Sequence, residues 1–388
     1  MPTPTVPSPS RRTVRARPPA PRTNGLLPRW PRNAADPVLV EMRRGGIVES
    51  RHRGAVVQVG PDLAVERALG DPELVVTLRS AVKPFGALAV VESGAAEAFH
   101  LTPPELAILA ASHSGEDLHV RTLQSIFRRA RLSQDLLGCG TTGAPLDALT
   151  AVRLARDGEQ PGPIRHQCSG FHAASILLSR HAGWPLDEYW LPEHPSQTLV
   201  RAAVARVFGV RPQQLVRATD ACGVETFAFP LVAVAQAYAY LADPAGVASD
   251  PARSALAPAM TRIRDAMLAA PELVAGTRDR LDTALMHVGA GRIVSKGGAE
   301  GLRGVGLLAG ARGPDRGPAG LAITIDDGNE VRAGRAATVE AVRQLGALDE
   351  RALQQLRGFH RPLAVDPRGT VVGEAVAAFE LAPISELA

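Results

Sequence analysis

Lysine is nearly absent from this chain: of 43 basic residues only Lys83 and Lys296 are lysines, and the other 41 are arginines. Arginine stays protonated in proteins, whereas a desolvated lysine can lose its proton and act as a base. The two lysines therefore mark positions where arginine could not serve, unless they are chance survivors. Cysteine is scarce as well, with Cys139, Cys168 and Cys222 the only three in 388 residues. An odd count in a chain this long excludes a disulfide framework and leaves reduced thiols or a role in a site. No hydrophobic run approaches the length that spans a bilayer, so no membrane association is expected. The first residues lack the apolar stretch of a signal peptide, although Arg11-Arg12 superficially suggests a twin-arginine signal, and the expected location is cytoplasmic.

Positive charge is lacking from most of the chain despite a pI of about 9.3. Residues 1–36 hold seven arginines (Arg11, Arg12, Arg15, Arg17, Arg22, Arg29 and Arg32) against Asp36 alone, which leaves 36 basic and 38 acidic residues in the remainder. The body is near neutral, so no nucleic-acid partner is expected of it. The first 36 residues are rich in proline and arginine without apolar periodicity and are predicted to be a disordered tail. Residues 37–388, by contrast, can bury a substantial core, and they read as one catalytic domain of two lobes sharing a cleft.

Residues 38–60 alternate apolar and polar positions around Gly45-Gly46 and Gly54, which predicts antiparallel strands. A third strand is predicted from Glu73 to Arg79, followed by a helix from Ser80 to Ser93 that Gly94 ends. Pro84 is tolerated only near a helix start, so Ser80 must lie at or next to its N-cap. Thr102-Pro103-Pro104-Glu105 is a capping box that launches the next helix. Further helices are predicted around Val120 to Ala130, around Val200 to Val207, and over roughly 230–242 and 253–269. Strands return at Arg292 to Lys296, Val305 to Ala309 and Leu321 to Ile325, before a helix around Ala333 to Leu345. The predicted fold class is α/β: an antiparallel sheet built from both chain ends, about 37–79 and 290–388, with helices packed on it and a mainly helical insertion over about 80–289.

Three short patterns carry chemistry. In Ser80-Ala81-Val82-Lys83 a spacing of three places a serine and an amine on one helical face, where a neutral lysine can take the hydroxyl proton. An N-cap serine beside a surface lysine is the competing reading. Ser112-His113-Ser114-Gly115 presents hydroxyls from a loop between helices, or simply caps one. Lys296-Gly297-Gly298 ends a predicted strand, where glycines let a substrate approach and pair with the strand edge, or where the chain merely turns. In this order the three form the layout of penicillin-binding proteins and class A β-lactamases, whose signatures are Ser-x-x-Lys, Ser-Asp-Asn and Lys-Thr-Gly. Both lysines of the chain fall within it.

The sequence also resembles a narrower group, the bacterial asparaginase II family typified by inducible rhizobial enzymes. The matching stretches are Arg44 to Ser50, Arg79 to Lys83, Val91 to Ala96, Ala111 to Glu116, Cys168-Ser169-Gly170, Ala221-Cys222-Gly223 and Ser295 to Gly301. The resemblance implies a β-lactamase-like fold, a homodimer, and hydrolysis of asparagine by two serine–lysine pairs, Ser80 with Lys83 and Ser112 with Lys296. One departure stands out. The family motif reads Cys-Ser-Gly-Lys-His, in which the cysteine and lysine join a second cysteine around zinc; here Phe171 replaces that lysine, and it is expected to make one pocket wall apolar. Cys168 and Cys222 could still bind zinc with His172 or water, so zinc stays open while no cofactor is required. Two buried thiols are also a common structural outcome.

These readings lead to an amidohydrolase for asparagine or a related small amide, with Ser80 or Ser112 attacking and Lys83 and Lys296 handling protons. Arg79 is the candidate for a substrate carboxylate, and Ser114, Cys168, Phe171, Cys222 and Gly297 are further substrate-binding candidates. An acyltransferase or specialised amidase for a larger, less polar substrate is the alternative that Phe171 motivates. A binding protein that has lost turnover is the non-enzymatic one.

Overall fold

The computed structural model of the chain describes residues 36–246 and 251–384. The predicted tail lies outside the described residues except for Asp36. Alternation at the start of the described chain produces β1 (Val38–Arg44) and β2 (Ile47–Val59), a hairpin turning at Gly45 and Gly46. β3 (Val65–Leu69) pairs with β2. β4 (Val75–Thr77), β5 (Val216–Thr219) and β6 (Glu225–Pro230) form a separate sheet in the order β4-β6-β5. The later part supplies β7 (Ile293–Gly297), β8 (Arg303–Leu307), β9 (Ala319–Ile325), β10 (Leu363–Val365) and β11 (Val371–Ala377). With β1, β2 and β3 they make an eight-stranded antiparallel sheet ordered β10-β11-β1-β2-β9-β8-β7, with β3 on β2. The fold class is therefore the expected one, α/β, with an antiparallel main sheet woven from both ends of the chain and helices packed on it.

Helices cover both faces of the sheet, so β9 and the second half of β2 are buried on both sides, successive residues facing opposite layers. Ala55, Val57, Val59 and Ala322 face the larger helical body, while Val56, Leu321, Ile323 and Ile325 face the helix Arg335–Gln344 on the other side. Each such Val, Leu or Ile, fully withdrawn from water, contributes about 2 kcal/mol. The helix Leu231–Ala242 lies so close to the sheet that a β-carbon at Gly320 would sit 1.9 Å from the Ala235 carbonyl oxygen. That approach lowers Tyr238 onto the turn holding Ser80, where its hydroxyl donates to the Ala81 carbonyl at 2.8 Å.

Two predicted elements differ in detail. Of the strand predicted from Glu73 to Arg79 only Val75–Thr77 is strand, and it joins the small sheet because β6 offers it an edge. The helix predicted from Ser80 to Ser93 is broken into a 3₁₀ turn (Arg79–Val82) and short helices at Lys83–Gly86 and Leu88–Glu92. Pro84 has no N–H to give the Ser80 carbonyl, so the Lys83 N–H takes it in the tighter 3₁₀ pattern. Downstream, Glu105 closes the predicted capping box, its carboxylate accepting from the Thr102 N–H at 2.9 Å and hydroxyl at 3.0 Å. No helix of the described residues is long and apolar enough to cross a membrane.

Candidate active site

A cleft of about 470 Å³ opens where the end of β7 meets the helical body, and Ser80, Ser112, Ser114, Cys168, Cys222 and Gly297 all line it. Three distant pieces of chain build its floor. The first is the turn after β4, which the Leu78 N–H ties to the Phe227 carbonyl at 2.8 Å. Arg79 enters this turn with φ of +47°, a left-handed conformation that non-glycine residues rarely adopt. It is held there by Asp220, which accepts from Arg79 Nε at 2.5 Å and from the Ala221 N–H at 2.6 Å. Arg79 therefore lines the cleft with its charge already matched.

The second piece is the loop after the helix Pro103–Leu109. Its Ser112 N–H donates to the Val274 carbonyl and its His113 N–H to the Gln167 carbonyl. His113 and His119 stack at 4.6 Å beneath it. Backbone N–H groups of Gly115 and Glu116 donate to their Nδ1 atoms, so each Nε2 carries the proton, bonded to Ser169 Oγ and the Glu272 carbonyl respectively. Burial lowers the pKa of both rings, which are neutral supports. Gly115 has φ of +76°, and a β-carbon there would lie 2.3 Å from the Arg165 carbonyl oxygen. Gly115→Ala is expected to cost about 2 kcal/mol and to lower activity by displacing Ser112; calorimetry beside an activity assay checks this, and an unchanged melting temperature would contradict it.

The third piece is β7, which carries Lys296. Lys296 and Lys83 are both buried, and both reach the same hydroxyl: Lys83 Nζ lies 3.1 Å and Lys296 Nζ 3.0 Å from Ser112 Oγ. Their remaining hydrogen bonds go to main-chain carbonyls, Lys83 to Ala111 at 2.9 Å and Lys296 to Gly297 at 2.7 Å. Sequence spacing paired Lys83 with Ser80, but the Ala111 carbonyl and Ser112 hydroxyl draw the amine across the cleft floor. Ser80 lines the cleft with no side-chain hydrogen bond to the described residues.

Desolvation pushes the Lys296 pKa down to about 7; the Asp282 carboxylate opposes this, and the Lys83, Arg280 and Arg303 cations add to it. Asp282 accepts from Ser295 Oγ at 2.7 Å, from the Gly297 N–H at 2.9 Å and from Arg303. Burial alone would raise its pKa, but Arg303 and Lys296 hold it at about 2. The Gly297 N–H is thereby taken, so the strand edge is not open to a substrate at that position.

Cys168 and Cys222 line the cleft side by side. The Cys222 hydrogen bond, with Lys83 and His166 nearby, favours the Cys168 thiolate against the burial that opposes it, while the same contact raises Cys222. Zinc does not fit this donor set. Structural zinc takes four ligands, whereas Cys168 and Cys222 supply two thiols, and among the described residues no group of three His, Cys, Asp or Glu side chains is arranged to hold a metal. His172 accepts from the Tyr189 hydroxyl at Nδ1, and burial brings its pKa down to about 3. Phe171 does not wall the cleft as expected. It is buried against Gly86 with its ring 6.0 Å from Lys83 Nζ, behind the reacting face.

Sequence reasoning missed Asp282 and Arg280. Arg280 donates to the Ser112 carbonyl at 2.6 Å and to Ser114 Oγ at 3.1 Å. Neither residue belongs to a motif, and nothing local separates Arg280 from the other arginines.

The sequence profile of the L-asparaginase II family matches residues 40–377. No curated protein matches significantly. Among solved structures, Mglu in its native form at 4.3 M NaCl is 15% identical over 78% of this chain and 63% of its own, with a TM-score of 0.35. Mglu in its L-glutamate binding form is 16% identical over 78% of this chain and 62% of its own, with a TM-score of 0.34. A probable glutaminase of Bacillus subtilis is 12% identical over 79% of this chain and 86% of its own, with a TM-score of 0.31. The chain thus spans less than two thirds of the length of the two Mglu structures.

Proposed function

We infer the function from one premise: the chain belongs to the L-asparaginase II family. We propose that it is an amidohydrolase, converting asparagine or a related small amide to acid and ammonia through a serine nucleophile served by two lysines. The observation that carries this reading is the Ser112 hydroxyl held within 3.1 Å of both lysine amines. A hydroxyl has one proton and two lone pairs. Between an ammonium and a neutral amine it accepts from the first and donates to the second, and so relays protons. Two ammonium groups meeting on one hydroxyl repel each other, and Lys296, with its pKa near 7, is the one to give up its proton.

In this reading Ser80 attacks, because its hydroxyl lines the cleft uncommitted while that of Ser112 is engaged by both amines. Ser80 Oγ bonds to the amide carbonyl carbon and its proton passes to the lysine pair. Ser112 delivers a proton to the nitrogen as the C–N bond breaks, and ammonia leaves. Water then attacks the ester, takes the same route for its proton, and releases the carboxylic acid and free Ser80.

Intact-mass analysis during turnover of a panel of small amides tests the reading. An acyl adduct on the peptide containing Ser80 is expected, absent from Ser80→Ala and longer-lived in Ser112→Ala. An adduct on Ser112 would exchange the two serine roles. No adduct and no ammonia with any amide, together with Ser80→Ala and Lys296→Ala variants that bind the same ligands as the wild type, would leave a binding protein instead.

A further inference from the structure

Five arginines line the cleft, and four of them are neutralised by carboxylates of the cleft itself. Arg79 holds Asp220 at 2.5 Å, Arg278 holds Asp147 at 2.8 Å, Arg335 holds Asp279 at 2.6 Å, and Arg303 holds Asp282 and Glu330. Arg280 differs. Among the described residues it forms no ion pair, and its side chain donates only to neutral oxygens, the Ser112 carbonyl and Ser114 Oγ. A guanidinium has five N–H donors in a planar fork, so three remain for a ligand. Asp282, two residues on, is already saturated by Arg303, Ser295 and the Gly297 N–H and offers Arg280 no hydrogen bond.

A largely buried cation that no carboxylate contacts carries a desolvation cost that an arriving anion offsets. Burial lowers the Arg280 pKa, and the Arg303 and Arg335 cations nearby act in the same direction against the attraction of Asp282 and Glu330. Position adds chemistry to charge. Arg280 grips the main chain of Ser112 itself, so an anion on its free edge lies beside the hydroxyl that both lysines hold. The planar fork matches a carboxylate, which it can bind through two parallel hydrogen bonds.

We propose that Arg280 is the anchor for a free carboxylate on the substrate, so that the cleft selects small amides carrying that group a few bonds from the amide. The proposal rests on the amidohydrolase reading for the amide and on the arginine pairing for the carboxylate. It moves the carboxylate-binding role from Arg79, which Asp220 occupies, to Arg280.

The test compares wild type with Arg280→Gln and Arg280→Lys, using asparagine and its α-carboxamide, which keeps the side-chain amide and lacks the charge. The ratio of kcat/KM for the two substrates is expected to fall by about 100-fold in Arg280→Gln, through KM, with partial recovery in Arg280→Lys. An unchanged ratio in both variants overturns the proposal. Binding of aspartate, measured by titration calorimetry, requires no turnover. Weakening by a similar factor in Arg280→Gln supports the anchor even where ammonia release fails, an outcome that would remove the amidohydrolase reading alone. Aspartate affinity equal in all three proteins, or absent from wild type, removes the anchor. Should Arg280→Gln misfold by circular dichroism, the substrate ratio and aspartate affinity of Arg280→Lys decide.

Discussion

Lys296→Arg is expected to abolish amide hydrolysis, with kcat/KM falling by about 10³-fold or more, because a guanidinium cannot give up its proton at any working pH. The wild-type dependence follows from the same group. Below a pKa of about 7 the amine is protonated and cannot act as a base, so log kcat/KM should rise with pH and level off above about 7. Lys296→Met, close in volume and without charge, should be equally inactive yet more stable. The folded-state pKa of Lys296 lies below the unfolded value of 10.5, so the fold opposes its protonation. That penalty is absent above pH 10.5, grows as pH falls toward 7, and is then constant at an order of 5 kcal/mol, less the lost hydrogen bonds. Thermal melts should therefore place the methionine variant above wild type at pH 7, with the gap closing as pH rises toward 10.5. Activity retained in either variant, or a rising pH limb that persists without Lys296, would remove this amine from the proton path.

How much of this could be read from the sequence depends on how local each signal is. The hairpin of β1 and β2 was legible because period-two alternation around Gly45-Gly46 is a property of neighbouring residues, and Pro84 announced that a helix must begin beside Ser80. β3, β5, β6, β10 and β11 were not: β3, β5 and β10 are short, β5 and β6 lie inside a stretch dominated by helical periodicity, and β10 and β11 form the half-exposed outer edge of the sheet without the apolar alternation of a core strand. At the site, two lysines among 43 basic residues singled themselves out, and the structure brings both to one hydroxyl. Which hydroxyl Lys83 meets was beyond reach, because it is set by the Ala111 carbonyl, 28 residues away, rather than by the Ser-x-x-Lys spacing. Arg280 was hidden for the opposite reason: its distinction is the lack of a carboxylate partner, a property of the folded cleft that no stretch of sequence displays.

Asp282→Asn should show that the lysine depends on a carboxylate it does not touch by hydrogen bond. Asp282 is buried and neutralises Arg303, which lies deep in the same layer and otherwise has only Glu330. Removing one member of a buried pair costs about 3–5 kcal/mol, so a clear fall in melting temperature is expected at neutral pH. The acid behaviour should change as well. The Asp282 pKa is depressed in the fold, from the ordinary 3.8 to about 2. Its stabilising contribution is complete above pH 3.8 and is lost as pH falls through 2, amounting to about 2 kcal/mol, and the asparagine variant should lack that part of the acid sensitivity. A merely structural role would end there. Asp282 also raises the Lys296 pKa against desolvation. Without it the amine becomes still easier to deprotonate, and the rising limb of the pH–rate profile should move below pH 7 in the folded fraction of the variant. A profile unmoved in a variant whose stability has fallen would confine Asp282 to packing, and would detach the electrostatics of β7 from the chemistry at Ser112.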